Sequence, residues 1–321
     1  TAGFTTVNMN VLGAIGDGTT PNDSIVRQTL ANHPSGVILH FPSGNFLFTQ
    51  PIQIPSNAVI KGNGAEETTL TFNLGGTGHS IHLQGNRLAA DTSSFISNSE
   101  KGSSEILVNN AQNFSSGDWI QIIQNDIDLV TSSWAKNTIG QIVEIQSISR
   151  NKITLHSKLR LDYSMDRTPY IEKITPEENV GIECLKIVRL DNTAPEQSSN
   201  IYFQYAVNCW VNGIESENCT FSHIEANQSS NIHISKSYMH HAFDYGGGGR
   251  AYGVMLQATS NEIRVENNIF EHLRHSMIVQ SGANGNVFAY NYSTDPYWSS
   301  NPSDAAGDMV LHGNYPYLNL F

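Results

Sequence analysis

The sequence predicts an all-β chain wound into a single-stranded parallel β-helix. Three observations favour this fold. The composition is rich in turn-forming residues, with 26 glycines among 321 residues, short alternating strands replace long amphipathic stretches, and an internal repeat of 22 to 24 residues emerges after residue 179. Repeats of this length that carry several short strands let equivalent residues stack coil upon coil. We therefore expect one elongated body with little helix.

The first element predicted along the chain is a short helix. Asn22 or Asp23 can cap a helix of about two turns, because either side chain can accept hydrogen bonds from the free N–H groups of the first turn. Ile25, Val26 and Leu30 are its apolar positions. We assign residues 1–104 to this cap and the first coils.

Residues 13–24, with the sequence GAIGDGTTPNDS, and the short strands that follow up to Gly64 carry a family resemblance. They resemble the N-terminal signature of the right-handed parallel β-helices of the pectate-lyase superfamily, in which a short helix plugs the open end of the solenoid. The resemblance implies a right-handed helix with such a plug and a carbohydrate-active protein, secreted or exposed at the cell surface. It leaves the reaction open, since that superfamily includes lyases, hydrolases and phage spikes.

Residues 105–160 interrupt the pattern. Alternating apolar positions in 119–122, 141–145 and 152–155 are separated by turn residues, which is typical of antiparallel hairpins. We expect a small β insertion here, packed on the solenoid. Residues 161–321 then form the coils that carry the groove.

The repeat defines two families of strands. The first comprises residues 210–211, 232–234, 263–265 and 287–289, and the second comprises 202–204, 255–257, 278–280 and 310–312. Asn267 and Asn291 lie 24 positions apart and are predicted to form an asparagine ladder. Extra residues fall between the families at 240–250 and 292–308, whereas 271–275 carries no insertion. Neighbouring turns of this kind make two walls and a floor, so we expect a groove.

These three segments concentrate ionisable and aromatic side chains. Aromatic faces beside hydrogen-bonding groups suit a sugar ring, so the predicted ligand is a polysaccharide. The candidate catalytic residues are His241, Asp244, Arg250, Glu271, Arg274 and His275. The candidate substrate-binding residues are His240, Tyr245, His272, Tyr297, Trp298 and His312. The candidate metal ligands are Asp295, Asp304 and Asp308. The alternative is that the His and Arg side chains satisfy backbone carbonyls of neighbouring coils.

Three functions are compatible with this set. A lyase that cleaves an acidic polysaccharide by β-elimination needs a base together with cationic groups or a Ca²⁺ ion, and it is our first interpretation. A glycoside hydrolase needs two carboxylates about 5 Å or about 6.5–9.5 Å apart. A non-catalytic carbohydrate-binding, adhesin or spike component is the third. Residues 267–275, with the sequence NNIFEHLRH, are loosely similar to coils of alginate- and chondroitin-type β-helix lyases.

Charge limits the other partners. The chain has 29 Asp and Glu residues against 17 Lys and Arg residues, a formal charge of −12. This balance argues against binding to nucleic acid, and the absence of an apolar run of about 18 residues argues against membrane insertion. Residues 310–321 stay apolar without a polar last coil, so we expect a further C-terminal domain or another chain to cover this end.

Overall fold

A computed structural model describes residues 3–191, 197–300 and 306–321. Asp304, a predicted metal ligand, lies outside the described residues. The described chain is almost entirely β-structure, and the predicted parallel β-helix is confirmed. No helix in the described ranges has the length and apolar character needed to cross a membrane.

The N-terminal coils contain one α-helix and eight strands. The elements are β1 Thr5–Asn8, β2 Asp17–Pro21, α1 Asp23–Asn32, β3 Val37–His40, β4 Gly44–Phe48, β5 Ile52–Gln53, β6 Ala58–Lys61, β7 Thr68–Phe72 and β8 Ile81–Gln84. Helix α1 buries Val26 and Leu30 in the main core. Its role as a plug of the solenoid end stays a prediction.

The antiparallel insertion follows β8. Its strands are β9 Asn86–Ser94, β10 Glu105–Leu107, β11 Trp119–Ile123, β12 Gly140–Ser149, β13 Lys152–Leu155 and β14 Tyr170–Thr175, with single-turn 3₁₀ helices at Ser133–Ala135 and Met165–Arg167. They form one sheet in the order β10-β13-β12-β11-β14-β9. This sheet extends beyond the range 105–160 at both ends, because β9 and β14 pair with each other although the exposed, polar β9 shows no alternating pattern.

The C-terminal coils supply the remaining strands. They are β15 Glu177–Glu178, β16 Gly181–Glu183, β17 Lys186–Arg189, β18 Ile201–Gln204, β19 Ala206–Asn212, β20 Glu215–Cys219, β21 Ser222–Asn227, β22 Ser230–Ser235, β23 Tyr238–Ala242, β24 Tyr252–Gln257, β25 Arg264–Glu266, β26 Ile269–Glu271, β27 His275–Val279, β28 Val287–Ala289, β29 Tyr292–Thr294 and β30 Met309–Leu311.

Three parallel sheets build the solenoid. Sheet A runs β1-β3-β6-β16-β19-β22-β25-β28, sheet B runs β2-β4-β7-β17-β20-β23-β26-β29, and sheet C runs β30-β27-β24-β21-β18-β8-β5. The first predicted strand family stacks in sheet A, where Val211 pairs with Ile234, Ile234 with Val265 and Val265 with Phe288. The second family lies in sheet C, where it lacks β21, which the sequence analysis missed.

Left-handed residues close the corners between sheets. At the A-to-B corner the equivalent residues Cys184, Gly213, Lys236, Asn267 and Tyr290 all have φ between 53° and 65°. At the B-to-C corner the residues are Asn218, His241, His272 and Asp295, with φ between 52° and 59°. Asn, Asp and His tolerate this region better than most residues, and stacking repeats the same turn in each coil. The corner backbone therefore accounts for several of the polar residues that the sequence analysis noticed.

The asparagine ladder is shifted by one residue from its predicted position. Asn268, not Asn267, donates from Nδ2 to Asn291 Oδ1 at 3.0 Å, and Asn268 Oδ1 accepts from the Ser237 N–H at 3.0 Å. The reason is that Asn267 adopts the left-handed corner conformation, so the next residue turns inward.

The insertion docks on the corner between sheets C and A. Asn261 Oδ1 accepts from the Ile142 N–H and Asn261 Nδ2 donates to Ile142 O, both at 3.0 Å. Asn284 Nδ2 donates to Gly140 O at 3.1 Å. The Tyr317 hydroxyl also donates to Gly140 O at 2.6 Å. All four of these hydrogen bonds tie the insertion to coils near the C-terminus, so the insertion stands beside the outer face of sheet C.

Candidate functional site

The floor of the candidate site is the outer face of sheet C. Ile224, Val254 and Val279 point into the main core, so the residues that alternate with them point outward. Register aligns the outward side chains in two rows across the strands. One row contains His82, Tyr202, Glu225, Met255, Ile278 and Val310. The other contains Gln84, Gln204, Asn227 and Gln257, and Gln280 continues it by a hydrogen bond.

One wall of the site is the glycine-rich loop between β23 and β24. Asp244 accepts from the Gly246 N–H at 2.8 Å and forms an ion pair with Arg250. Arg274 donates from one terminal nitrogen to the carbonyl oxygens of Gly246 and Gly248. Its guanidinium lies 3.9 Å from the ring centre of Trp298, a cation–π contact. Arg274 therefore holds the loop by binding backbone carbonyl oxygens, which agrees with the alternative stated in the sequence analysis.

The loop and the insertion enclose a cleft of about 510 Å³ above sheet C, a volume in the usual range for small-ligand sites. Trp134 contributes from the insertion, and it is 55% exposed. The described residues that line the cleft include no carboxylate. They are Trp134, Gln197, Phe221, Gly248, Gly249, Tyr252, Met255, Gln257, Arg274, Gln280 and His312.

Burial alters the pKa values of two neighbouring side chains, Tyr252 and the predicted catalytic His275. His275 stacks on Tyr252 with ring centres 5.4 Å apart, and its Nδ1 donates to Gly307 O at 3.1 Å. Burial, assisted by the charge of Arg274, lowers the pKa of His275 to about 4, so this side chain is neutral at pH 7. Burial raises the pKa of Tyr252. The cleft is therefore lined by the protonated phenol of Tyr252, with the neutral imidazole of His275 stacked on it.

Glu225 is part of this floor and is 3% exposed. Its Oε1 accepts from Gln257 Nε2 and its Oε2 accepts from Ser199 Oγ, both at 2.7 Å. Burial raises the pKa of Glu225 to about 7, and the three hydrogen bonds that oppose this effect do not cancel it. The carboxyl group therefore changes charge within the physiological range.

A second set of predicted residues lies at the end of sheet B, where the corner turns toward the loop. His272 stacks on Tyr297 at 4.6 Å, and Tyr245 contacts both rings edge-on at 4.9 Å. His272 Nδ1 donates to Asp295 Oδ2 at 2.6 Å. His241 lies 5.1 Å from His272 between ring centres. Burial and the neighbouring histidines lower the pKa of His241.

His240 joins this set to the outer face of sheet B. Its Nδ1 lies 2.9 Å from His241 Nδ1, so one ring donates to the other, and its Nε2 lies 3.1 Å from Glu215 Oε1. Register places His240 between Glu217 and Glu271 in one outward row. The Tyr238 hydroxyl donates to Glu271. The predicted residues thus separate into a sheet C group, around Arg274 and His275, and a sheet B group, around His240 and Glu271.

The described residues whose spacing could hold a metal ion are not the predicted metal ligands. Among the described residues, Glu215, Glu217 and His240 form the group with ligand atoms within 4.8 Å of one another. Lys186 Nζ already bridges its two carboxylates at 2.7 and 2.6 Å. Asp308 instead accepts from Ser293 Oγ at 2.6 Å, while Asp295 accepts from His272. These two described candidates have separate partners, and the calcium ion stays a prediction.

A second cavity, larger than this cleft, contains none of the predicted site residues. It measures about 790 Å³ and lies between helix α1 and strand β5. Its lining combines aliphatic side chains such as Val26, Leu30 and Pro51 with polar ones such as Asp23, Arg27 and Glu177. We place the candidate site at the smaller cleft on sheet C, because the predicted Arg274 and His312 both line it.

Comparison with protein families agrees with this architecture. A family model described as "Rhamnogalacturonase A/epimerase, pectate lyase-like" matches residues 6–167, half of the chain. The chain belongs to this family. Its fold and the superfamily resemblance noted in the sequence are thereby confirmed, whereas the members' different reactions leave the chemistry of this pectate-lyase-like chain open.

Solved structures with the same fold include phage proteins. The tailspike gp61 of Pseudomonas phage phi297 is 14% identical, with a TM-score of 0.66, and the match covers 98% of this chain and 56% of that one. The Gp54 tailspike of Acinetobacter baumannii bacteriophage AP22, solved in complex with A. baumannii capsular saccharide, is 14% identical, with a TM-score of 0.51, covering 92% and 59%. At this identity the likeness shows the fold alone.

A curated relative matches over a short region. The pre-neck appendage protein of Bacillus phage B103 is 36% identical over 66 residues, which is 21% of this chain and 7% of that protein. The chain therefore spans little more than half of the two tailspikes and a small part of this relative.

Sequence reasoning missed three groups of site residues. Glu225 was missed because the repeat analysis passed over β21, although Ile224 follows Ile201 by one coil of 23 residues. Trp134 was missed because it lies in the insertion, far from the cleft in sequence. Glu215, Glu217 and Lys186 lie on strands rather than on the inserted loops, where the search was concentrated.

Proposed function

We propose that this chain binds an acidic polysaccharide in the cleft on sheet C and cleaves it by β-elimination. The carrying observation is the lining of the cleft, whose described residues include Arg274, His312, Tyr252 and three glutamines but no carboxylate. A chain with a net charge of −12 would repel an anionic polymer elsewhere on its surface. Hydrolysis at this site would require a pair of carboxylates, which the described lining lacks.

Six of the lining residues have a role in this proposal. The Arg274 charge, beside the amides of Gln257 and Gln280, stabilises the sugar carboxylate as negative charge spreads onto it. His312 removes the proton α to that carboxylate, since imidazole is the side chain that accepts a proton near neutral pH. The bond to the leaving sugar oxygen breaks as the ring double bond forms, and the Tyr252 hydroxyl gives its proton to that oxygen. Trp134 stacks on a neighbouring sugar ring.

A hydrolase on sheet B is the second candidate, and one observation favours it. Glu217 and Glu271 lie two strands apart in the same outward row, with His240 between them. Two strand spacings amount to about 9.5 Å between backbones, close to the upper separation of the two acids in inverting glycosidases.

The tailspike likeness supports an extracellular setting for either reaction. One tailspike of this fold was solved with a capsular saccharide. We propose that this chain likewise acts outside the cell, as part of a spike or as a secreted enzyme.

The two reactions give different products. We would incubate the protein with polygalacturonate, alginate, hyaluronan and purified bacterial capsules, and follow both absorbance near 235 nm and new reducing ends. Elimination produces both signals, whereas hydrolysis produces reducing ends alone. We expect His312→Ala to lower the rate about 10²-fold or more and Glu217→Gln to leave it unchanged. Reducing ends without absorbance, abolished by Glu217→Gln, would overturn the lyase in favour of the hydrolase. A second control variant is Glu105→Gln, which removes an exposed carboxylate paired with Lys152 on the insertion.

A further inference from the structure

A chain of side-chain hydrogen bonds links Glu225, which is buried on the outer face of sheet C, to the lining of the cleft. Gln257 Nε2 donates to Glu225 Oε1 at 2.7 Å, and Gln280 Nε2 donates to Gln257 Oε1 at 2.7 Å. Glu225 is buried, whereas both glutamines line the cleft. Ser199 Oγ donates to the second carboxylate oxygen of Glu225, Oε2, at 2.7 Å. The carboxyl group is thus linked to the cleft through two amides.

The direction of this chain is fixed by the carboxylate. An ionised carboxylate only accepts hydrogen bonds, so Gln257 must turn its NH₂ group toward Glu225 and its oxygen toward Gln280. Gln280 must then turn its NH₂ group toward Gln257. A carboxyl group protonated on Oε1 donates to Gln257 instead, and Gln257 would then present its oxygen to Glu225 and its NH₂ group to Gln280. Both amides would reverse together.

We propose that Glu225 is a positioning residue of the cleft, whose carboxylate sets the orientation of the Gln257 and Gln280 amides and so decides whether a bound sugar beside His312 meets an acceptor or a donor. Gln280 lies next to His312 because Val279 pairs with Leu311. The orientation of the amides stands on the hydrogen bonds alone. Only its effect on sugar binding rests on the proposed function.

Burial moves the pKa values of the titratable groups that face Glu225 from the neighbouring strands away from their ordinary values. On one side, Tyr202 has its pKa raised by burial, so it stays protonated. Beyond it, burial lowers the pKa of His79 to about 4 and lowers that of His82 below its ordinary value. His79 stacks on Tyr202 at 4.0 Å and accepts from the Ser199 N–H. On the other side, β24 presents Met255 and Gln257, which do not titrate.

The test follows the side-chain NH₂ signals of Gln257 and Gln280 by ¹⁵N NMR in the full chain between pH 5.5 and 8.5. We expect both signals to shift with one shared midpoint near neutrality, and the shift to vanish in Glu225→Gln. Glu172→Gln is the matched control, because Glu172 is also 3% exposed but lies in the insertion sheet beside Arg87. His82→Gln should leave the shared midpoint in place. A Gln280 signal that does not move, or that still moves in Glu225→Gln, would overturn the proposal.

Two further measurements separate failure of this proposal from failure of the proposed function. Glu225→Asp keeps a titrating acceptor, so it should preserve the joint movement with a different midpoint, and it replaces Glu225→Gln if that variant does not fold. With a polymer that the wild-type chain cleaves, Glu225→Gln should raise KM at least threefold at pH 8 with a smaller change in kcat. Joint movement of the amides without any polymer cleavage would reject the proposed function and keep the positioning role.

Discussion

The outer faces of sheets B and C are built from the same coils, yet they treat glutamate in opposite ways. On sheet B, Glu215 bonds to Lys186 at 2.7 Å and to His240 at 3.1 Å. Burial alone would raise the pKa of Glu215, but these two partners outweigh it and lower the pKa. On sheet C, Glu225 has only neutral partners, and burial raises its pKa to about 7.

The difference comes from what lies against each face. The glycine-rich loop and the insertion both lie over sheet C, so its outward residues Glu225, Met255 and Ile278 are 3%, 1% and 0% exposed. The outward residues Glu217 and Glu271 of sheet B remain partly exposed. A parallel β-helix thus repeats its backbone along the axis, while loops and insertions determine the electrostatic character of each face. Variants that disturb one face and spare the other test this distinction.

The largest stability difference is expected between Arg274 and His272. Arg274→Ala removes a buried cation that holds two loop carbonyls, so we expect a loss of about 3 kcal/mol, which lowers Tm by roughly 4 to 5 °C. His272→Ala breaks a pair whose Asp295 side chain is 63% exposed, so we expect a loss below about 1 kcal/mol. Thermal unfolding by calorimetry gives both values. Equal losses would remove the contrast between the covered and the open face.

A pH effect of similar size is expected at Glu225. Its pKa is about 7 in the folded chain against 4.5 for the free group, so the protonated form is favoured by folding and stability is lost as pH rises from about 4.5 through 7. The shift corresponds to about 3 kcal/mol. Glu225→Gln should therefore become more stable relative to the wild type at pH 8 than at pH 4.5. Because His79, His223 and His275 have lowered pKa values, they make the folded chain less stable as pH falls below 6.5. Both proteins contain these histidines, so their contribution cancels in the difference in stability between wild type and variant. Denaturant unfolding at several pH values measures this, and parallel curves would contradict the assigned pKa.

A smaller effect is expected for the aromatic wall of the cleft. Trp134→Ala should weaken binding of a cleaved polymer by about 1.5 kcal/mol, roughly a tenfold rise in Kd, since it removes a stacking surface and no buried contact of the solenoid. Tyr290→Ala is the control, because Tyr290 is 87% exposed and lies at the A-to-B corner. Calorimetric titration at fixed salt gives both constants. If the control weakened binding as much as Trp134→Ala, the polymer would not be held on sheet C.

The smallest effect is expected for the ion pairs of sheet B. Lys186→Met leaves Glu215 and Glu217 without their shared partner, and we expect a loss of about 1 kcal/mol or less that shrinks further as salt is added. The measurement is chemical unfolding at 0.05 and 0.5 M NaCl. A loss that is large and independent of salt would indicate that this face is as shielded from solvent as sheet C.

The sequence predicts the solenoid well because spacing is a one-dimensional property. The four stacked residues Val211, Ile234, Val265 and Phe288 follow one another at intervals of 23, 31 and 23 positions, and a residue count finds them. The site is harder to predict from the sequence. The spacing of the repeat places a residue at a corner between two sheets, but it does not show over which sheet the side chain extends. His240 and Arg274 belong to the same predicted groove, yet one extends over sheet B and the other lines the cleft on sheet C. The partners of the buried Glu225 are Ser199 and Gln257, which lie 26 and 32 positions away in the chain, and no local pattern records them.

The position of that insertion also has a consequence for how the chain folds. Most coils pair with partners about one repeat away, as Cys209 pairs with Ile232 at 23 positions. At one junction the partners are Ile60 with Ile182, Leu70 with Ile187 and Ile81 with Ile201, which are 117 to 122 positions apart. Closing that loop costs about 1.5 kcal/mol more entropy than closing one coil. We expect this junction to form late, after the coils on either side have formed locally, and to set the rate at which the two halves of the solenoid join into one.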